Sequence, residues 1–261
     1  MEDITVILLI GQSNGLGCGD SKKAPRPINA FEYLDTDEII PMREFLELSR
    51  GNGTIAQNFS VKWSREVGEK ICFIQSTVDG SLIKNWGHDR YNYLVDAMSK
   101  YKRALEKLRK IYNINKKYAI WIQGESDGKY GTDPVYYKRN LIKLGDKLKE
   151  EDIDKTFVSI SGYWKGTNYL RSEVIMAAQE SAILSSDNLA LGSFKGPSYL
   201  DRNMLIDDVH YNQEALNELG GDIGERIIKY HQRDEIHNNF SDLSIREARE
   251  IFKNLEKVIV Y

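Results

Sequence analysis

Apolar residues follow two rhythms along the chain. Residues 4–10 are a nearly unbroken apolar and β-branched run that stops at Gly11. Such a run suits a strand covered on both faces, as in a parallel sheet. Shorter runs at 71–75, 118–122, 157–160 and, more weakly, 189–191 repeat the signal. Between them the apolar period lengthens to that of a helix. Phe59, Trp63 and Val67 mark one stripe within 56–70, and Leu94, Met98, Leu105 and Leu108 another within 93–112. A third helix is predicted over 134–148, with Asp133 as N-cap and Pro134 at the first helical position. Two more are predicted over 169–184 and 213–230.

Strands that alternate with helices predict a three-layer α/β/α sandwich around a mostly parallel five-stranded sheet. Ligands of such sheets bind beyond the carboxyl ends of the strands, so the strand-end loops are where chemistry is sought. Residues 1–235 read as one domain. Residues 236–261 read as a helical extension (apolar period over 245–255, apolar end over 258–261) that packs on that domain or serves a dimer contact. Residues 18–54 form a long, poorly periodic insertion with Pro25, Pro27, Pro41, Gly51 and Gly53. A loop of that length is expected to be functional or mobile.

Composition narrows the classes. The chain has 261 residues, 41% hydrophobic and 29% charged, with a net charge of −3. That balance leaves no electrostatic footprint for nucleic acid, and the lysines of 100–117 read as a solvated face. No run approaches the ~20 apolar residues of a membrane span. With no signal-peptide pattern at the N-terminus, a cytoplasmic protein is expected, although a mature secreted form would read the same. The two cysteines, Cys18 and Cys72, make no disulfide framework. Cys18 follows Ser13 closely and is read as a packed thiol or a lining of the same loop. No His, Cys and carboxylate residues have metal-ligand spacing, so no metal or other cofactor is expected.

Four segments carry unusual chemistry. Gly11-Gln12-Ser13-Asn14-Gly15 follows the first strand, and a glycine-rich turn there can expose a serine hydroxyl beside backbone N–H donors. Asp79-Gly80-Ser81-Leu82-Ile83-Lys84-Asn85-Trp86 follows the second, where Gly80 can offer a backbone N–H. Gln123-Gly124-Glu125-Ser126-Asp127 ends the third strand, too polar for a mere buried strand end, although Ser126 or Asp127 as a helix cap is the plain reading. Asp207-Asp208-Val209-His210 precedes the last long helix, and an Asp three residues before a His can reach the imidazole Nδ1 and fix its tautomer. Of the other histidines, His88 competes for the role of base, while His231 and His237 read as solvated.

In this order the segments resemble the SGNH (GDSL-like) hydrolase superfamily, and more closely its branch of sialate O-acetylesterases and acetylxylan-esterase-related enzymes. The resemblance rests on Gly11-Gln12-Ser13-Asn14, on Gly80 to Trp86, on Gln123 to Asp127, and on Asp207 with His210. A further likeness is the glycine-rich lead at 51–59. It implies an SGNH/flavodoxin-like fold and a serine esterase that removes O-acetyl groups from a sugar. Ser13 would be the nucleophile, His210 the base and Asp207 its orienter. The oxyanion would rest on the N–H groups of Ser13 and Gly80 and on the Gln123 side chain. Gln12, Asn14, Lys84, Trp86, Glu125 and Asp127 would bind substrate or support the loops. The partner would be an O-acetylated sugar such as sialic acid, or an acetylated polysaccharide. Two departures stand out. Asp79 occupies a position where the branch usually has a second glycine, and Gln123 and Ser126 stand where the wider superfamily has an asparagine. The alternatives are a short-chain lipid esterase and a catalytically silent carbohydrate-binding domain.

Overall fold

A computed structural model describes residues 1–87, 92–234, 236, 238, 240 and 245–258. His88, His237 and the terminal residues 259–261 lie outside them. The elements are β1 (Asp3–Gly11), α1 (Ser13–Leu16), β2 (Ala30–Tyr33), β3 (Ile39–Pro41), α2 (Ala56–Glu66), β4 (Lys70–Thr77), α3 (Tyr93–Leu108), β5 (Asn113–Ile122), α4 (Glu125–Tyr130), α5 (Pro134–Glu150), β6 (Lys155–Ser159), α6 (Tyr169–Leu184), β7 (Leu189–Ser193), α7 (Gln213–Arg233) and α8 (Arg246–Val258).

The sheet has the order β3-β2-β4-β1-β5-β6-β7. Every neighbouring pair is parallel except β2 with β3, at one edge. The expected five strands are β4-β1-β5-β6-β7, and the sheet is larger because residues 18–54 contribute two more. Those two are short, so neither shows a period long enough to read in sequence.

β1 is buried on both sides and feeds two cores. Ile4, Val6, Leu8 and Ile10 join Tyr101 of α3, Leu141 of α5, Ile175 of α6 and Phe252 of α8. Ile7 and Leu9 join Phe59 and Trp63 of α2 and Ile223 and Ile227 of α7. This alternation is the period-two geometry of a strand packed between two helical layers. The predicted start of α5 is present, with the Asp133 side chain accepting from the Tyr136 N–H at 2.6 Å. α8 lies on α5 and α6, where Arg249 meets Glu180 through two 2.9 Å contacts and Lys138 meets Glu256 at 2.6 Å.

Two polar residues depart from expectation. Lys100 is not on a solvated face: it is buried, donates to the Gln75 carbonyl at 3.0 Å and pairs with Asp35. His231 is not solvated either. Its side chain is 10% exposed, lies edge-on to Trp63, and meets Tyr118 at 3.3 Å and Glu69 at 3.4 Å. Among the described residues no helix is long and apolar enough to cross a membrane.

The chain leaves β1 toward β4 on one side and returns to β5 on the other. β1 is therefore a topological switch point, and a crevice opens where its carboxyl end meets those of its neighbours. In register, Gly11 stands opposite both Thr77 of β4 and Ile122 of β5. Three of the four unusual segments begin at that level.

Candidate active site

The turn after β1 is built around Gly11. Its φ is +129°, and a Cβ there would lie 2.0 Å from the Ile122 carbonyl oxygen. Only glycine fits, because the position needs both positive φ and backbone-to-backbone approach. The next residue, Gln12, donates its N–H to that carbonyl at 2.8 Å. The Gln12 side-chain oxygen accepts from the N–H groups of Gly124 and Ser126 at 3.2 and 3.3 Å, which joins the start of α4 to the turn. Gln12 is buried and supports the loop. Ser13 follows as the first residue of α1, so its N–H has no partner within the helix. Ser13 is 3% exposed.

Asn14 joins this turn to the histidine loop. Its Nδ2 donates to the Val209 carbonyl at 3.2 Å, and its Oδ1 accepts from the Tyr211 N–H at 3.0 Å. These bonds flank His210 on both sides. A residue adjacent to Ser13 thus holds the backbone adjacent to His210, which brings together segments almost two hundred residues apart in sequence.

Within that loop, His210 Nδ1 lies 2.7 Å from Asp207 Oδ2. Asp207 Oδ1 accepts from the N–H groups of Val209 and His210, both at 2.8 Å. Burial works to raise the Asp207 pKa, but the hydrogen bonds from His210 and Val209 outweigh it and hold the carboxylate below its usual range. An ionised acceptor at Nδ1 keeps the proton there and leaves Nε2 as the lone pair for proton abstraction. The His210 side chain is 25% exposed, open enough to meet a substrate.

Gly80 has φ +63° and open space where a Cβ would stand. It lies in an exposed turn after β4. That turn is pinned by Val78 N–H on the Gly11 carbonyl at 2.9 Å, by Gln123 Nε2 on the Ser81 carbonyl at 3.0 Å and by Ile83 N–H on Asp127 Oδ2 at 3.0 Å.

Gln123 does not suit the role of oxyanion donor. It is fully buried, and its amide gives its hydrogens to the Ser81 carbonyl and to Asp127, while its oxygen accepts from Tyr137 at 2.9 Å. With both N–H groups engaged and no exposed surface, it braces the Gly80 turn. Trp86 is likewise no sugar platform. It is 1% exposed, stands edge-on to Trp121 and Tyr93, and donates to Ser81 Oγ at 3.1 Å. Lys84 is exposed on the same short turn.

Glu125 and Asp127 are both fully buried. Glu125 Oε1 accepts from Asn14 at 2.9 Å and from the Tyr211 hydroxyl at 3.0 Å. It therefore braces the same clamp that Asn14 makes. Burial pushes Asp127 up to about 6, against hydrogen bonds from Thr132, Gln123 and Ile83. Cys18 is half-buried, with Sγ 3.7 Å from the Ser13 carbonyl. Burial raises its thiol to about 11, reinforced by the nearby charges of Asp79 and Asp207. Such a thiol stays protonated and unreactive at neutral pH. Tyr211, Tyr137 and Gln179 complete the buried network and went unread in the sequence, where a lone Tyr or Gln carries no signal. Among the described residues no group of His, Cys and carboxylate side chains is arranged to hold a metal ion.

Three of the blocks sit at the carboxyl ends of β1, β4 and β5, and Asn14 ties the fourth to them. Residues 3–229 match the model of the family "carbohydrate esterase, sialic acid-specific acetylesterase", and the chain belongs to that family. No curated protein matches in sequence. Among solved structures, a protein from Arabidopsis thaliana superposes with a TM-score of 0.64 at 18% identity, over 85% of this chain and 96% of that one. A carbohydrate acetylesterase from Xanthomonas citri gives 0.56 at 15% identity, over 88% of this chain and 56% of that one. A lipase/acylhydrolase from Enterococcus faecalis gives 0.51 at 13% identity, over 87% and 96%. At these identities the likeness is one of fold.

Proposed function

We propose that the protein is a serine esterase that removes O-acetyl groups from a sugar through an acetyl-enzyme. The observation that carries this reading is the Asn14 clamp, which holds the serine turn against the Asp207–His210 pair.

The Ser13 hydroxyl attacks the acetyl carbonyl while its proton passes to His210 Nε2. Asp207 keeps the imidazole oriented and stabilises it once charged. Negative charge grows on the carbonyl oxygen, where the N–H groups of Ser13 and Gly80 receive it. Each such donor is worth about 3 kcal/mol in comparable sites. Collapse of the intermediate breaks the ester bond, and the leaving sugar oxygen takes the proton from His210. Water then attacks the acetyl-enzyme with the same proton route, releasing acetate and restoring Ser13. Gln12, Asn14, Gln123, Glu125 and Asp127 hold the three loops in place and touch no substrate.

The test is acetate release from O-acetylated sialic acid and from acetylated xylan, wild type against Ser13→Ala. Loss of at least about a thousandfold in the variant supports the mechanism. Release that survives the substitution overturns Ser13 as nucleophile.

A further inference from the structure

α1, which carries Ser13 at its first position, has only four residues. A helix of one turn does not hold its own geometry, because nucleation fixes several dihedrals for a single hydrogen bond. Its place must be imposed from outside. Gln12 and Asn14 are tied by their own side chains to α4 and to the histidine loop. The far end of the turn, Gly15 and Leu16, has no polar side chain to anchor it. Its carbonyls are among those that a helix C-terminus leaves without an internal partner.

Gln75 supplies that anchor. Its Nε2 donates to the Gly15 carbonyl at 3.2 Å and to the Leu16 carbonyl at 2.8 Å. Two carbonyls can face only the NH2 end of an amide, so they fix which way it points. The Oε1 end has no donor among the described residues, and a buried acceptor left so destabilises a fold. An apolar side chain would fill the same place without that cost, so the two bonds to α1 are what an amide adds here. Gln75 is itself well held. It is fully buried on β4, opposite Leu9 of β1. Lys100 of α3 donates to its backbone carbonyl at 3.0 Å and pairs with Asp35, which joins the 18–54 segment to the same point.

We propose that Gln75 is a positioning residue of the nucleophile: its amide holds α1 so that the Ser13 hydroxyl and N–H keep their places relative to His210 and Gly80. This rests on the esterase reading above. It adds a residue that acts through the backbone of α1, from a strand that carries no other part of the serine turn. A slide of that single turn displaces the attacking oxygen and an oxyanion donor together, so the loss falls on the chemical step and not on binding.

The experiment follows phosphorylation of Ser13 by diethyl p-nitrophenyl phosphate. The Oγ–P bond forms, p-nitrophenolate leaves, and the hydroxyl proton passes to His210. The kinetics separate binding of the reagent (KI) from the chemical step (kinact). In Gln75→Met, kinact should fall about tenfold or more while KI stays within about threefold of wild type. A role confined to stability would lower Tm and leave kinact of the folded protein unchanged. Gln75→Leu gives the same reading if methionine does not pack. A smaller fall in kinact, or a loss carried by KI, would overturn the inference. Wild type that takes no label at Ser13 would sink the esterase reading and this inference with it. A labelled wild type with an unchanged variant sinks this inference alone.

Discussion

At the scale of single residues, the site holds two carboxylates, one exposed and one buried, whose pKa values move in opposite directions. Asp207, half exposed and rich in hydrogen bonds, stays ionised. Asp127 is fully buried, and that burial pushes it up to about 6. In the unfolded chain an Asp titrates near ~3.9. Between those values the folded state holds the proton more tightly, so the stability contributed by Asp127 is fully present below about 3.9 and is lost as pH rises through about 6. The loss across the window is on the order of 2–3 kcal/mol. Asp127→Asn removes this titration. Urea unfolding at pH 4.5 and at pH 7.5 should therefore show the variant gaining on wild type by about 2 kcal/mol at the higher pH, since part of the loss has already occurred at pH 4.5. A difference that is the same at both values would mean Asp127 is ionised throughout.

At the scale of elements, the strand-end turns are where sequence tolerance is least. Gly11→Ala drives a Cβ into the Ile122 carbonyl and should cost about 3 kcal/mol or more, or leave no soluble protein. Gly51 also has positive φ, at +96°, but open space around it. Gly51→Ala should cost only about 1 kcal/mol of backbone strain. Denaturant midpoints of the two variants check this directly, and similar losses would show that φ, not close approach, dominates at Gly11. Both glycines were visible in the sequence as parts of glycine-bearing segments. What separates them is the neighbour across the turn, which belongs to another strand.

At the scale of the whole molecule, α8 seals one face. Ala248 and Phe252 enter the core shared with α5 and α6, and Arg249 grips Glu180. Phe252→Ala should lower stability by about 3–4 kcal/mol, read as a fall in Tm. Its kcat/KM on a short acetate ester should stay within about twofold of wild type, because the residue takes no part in the strand-end loops. A parallel collapse of activity would tie α8 to the site.

Read alone, the sequence determined the layered class of the fold. Long apolar runs and helical stripes are local periodicities, and they record which elements are covered on both faces. It also determined the chemical vocabulary of the site, because Ser13, Gly80, Asp207 and His210 lie in short segments whose residue types suit acyl transfer. The Asp207–His210 contact was legible for the same reason, its partners being three residues apart. Only the tertiary structure decided which polar residues face the crevice and which brace it. Gln123 and Trp86 stood in the right segments but turned inward, committed to Asp127, Ser81 and Trp121. His231 and Lys100 looked solvated from their charged neighbours and are held among side chains from distant elements. Burial and hydrogen-bond partnership are properties of long-range packing, and no local period in a single chain encodes them.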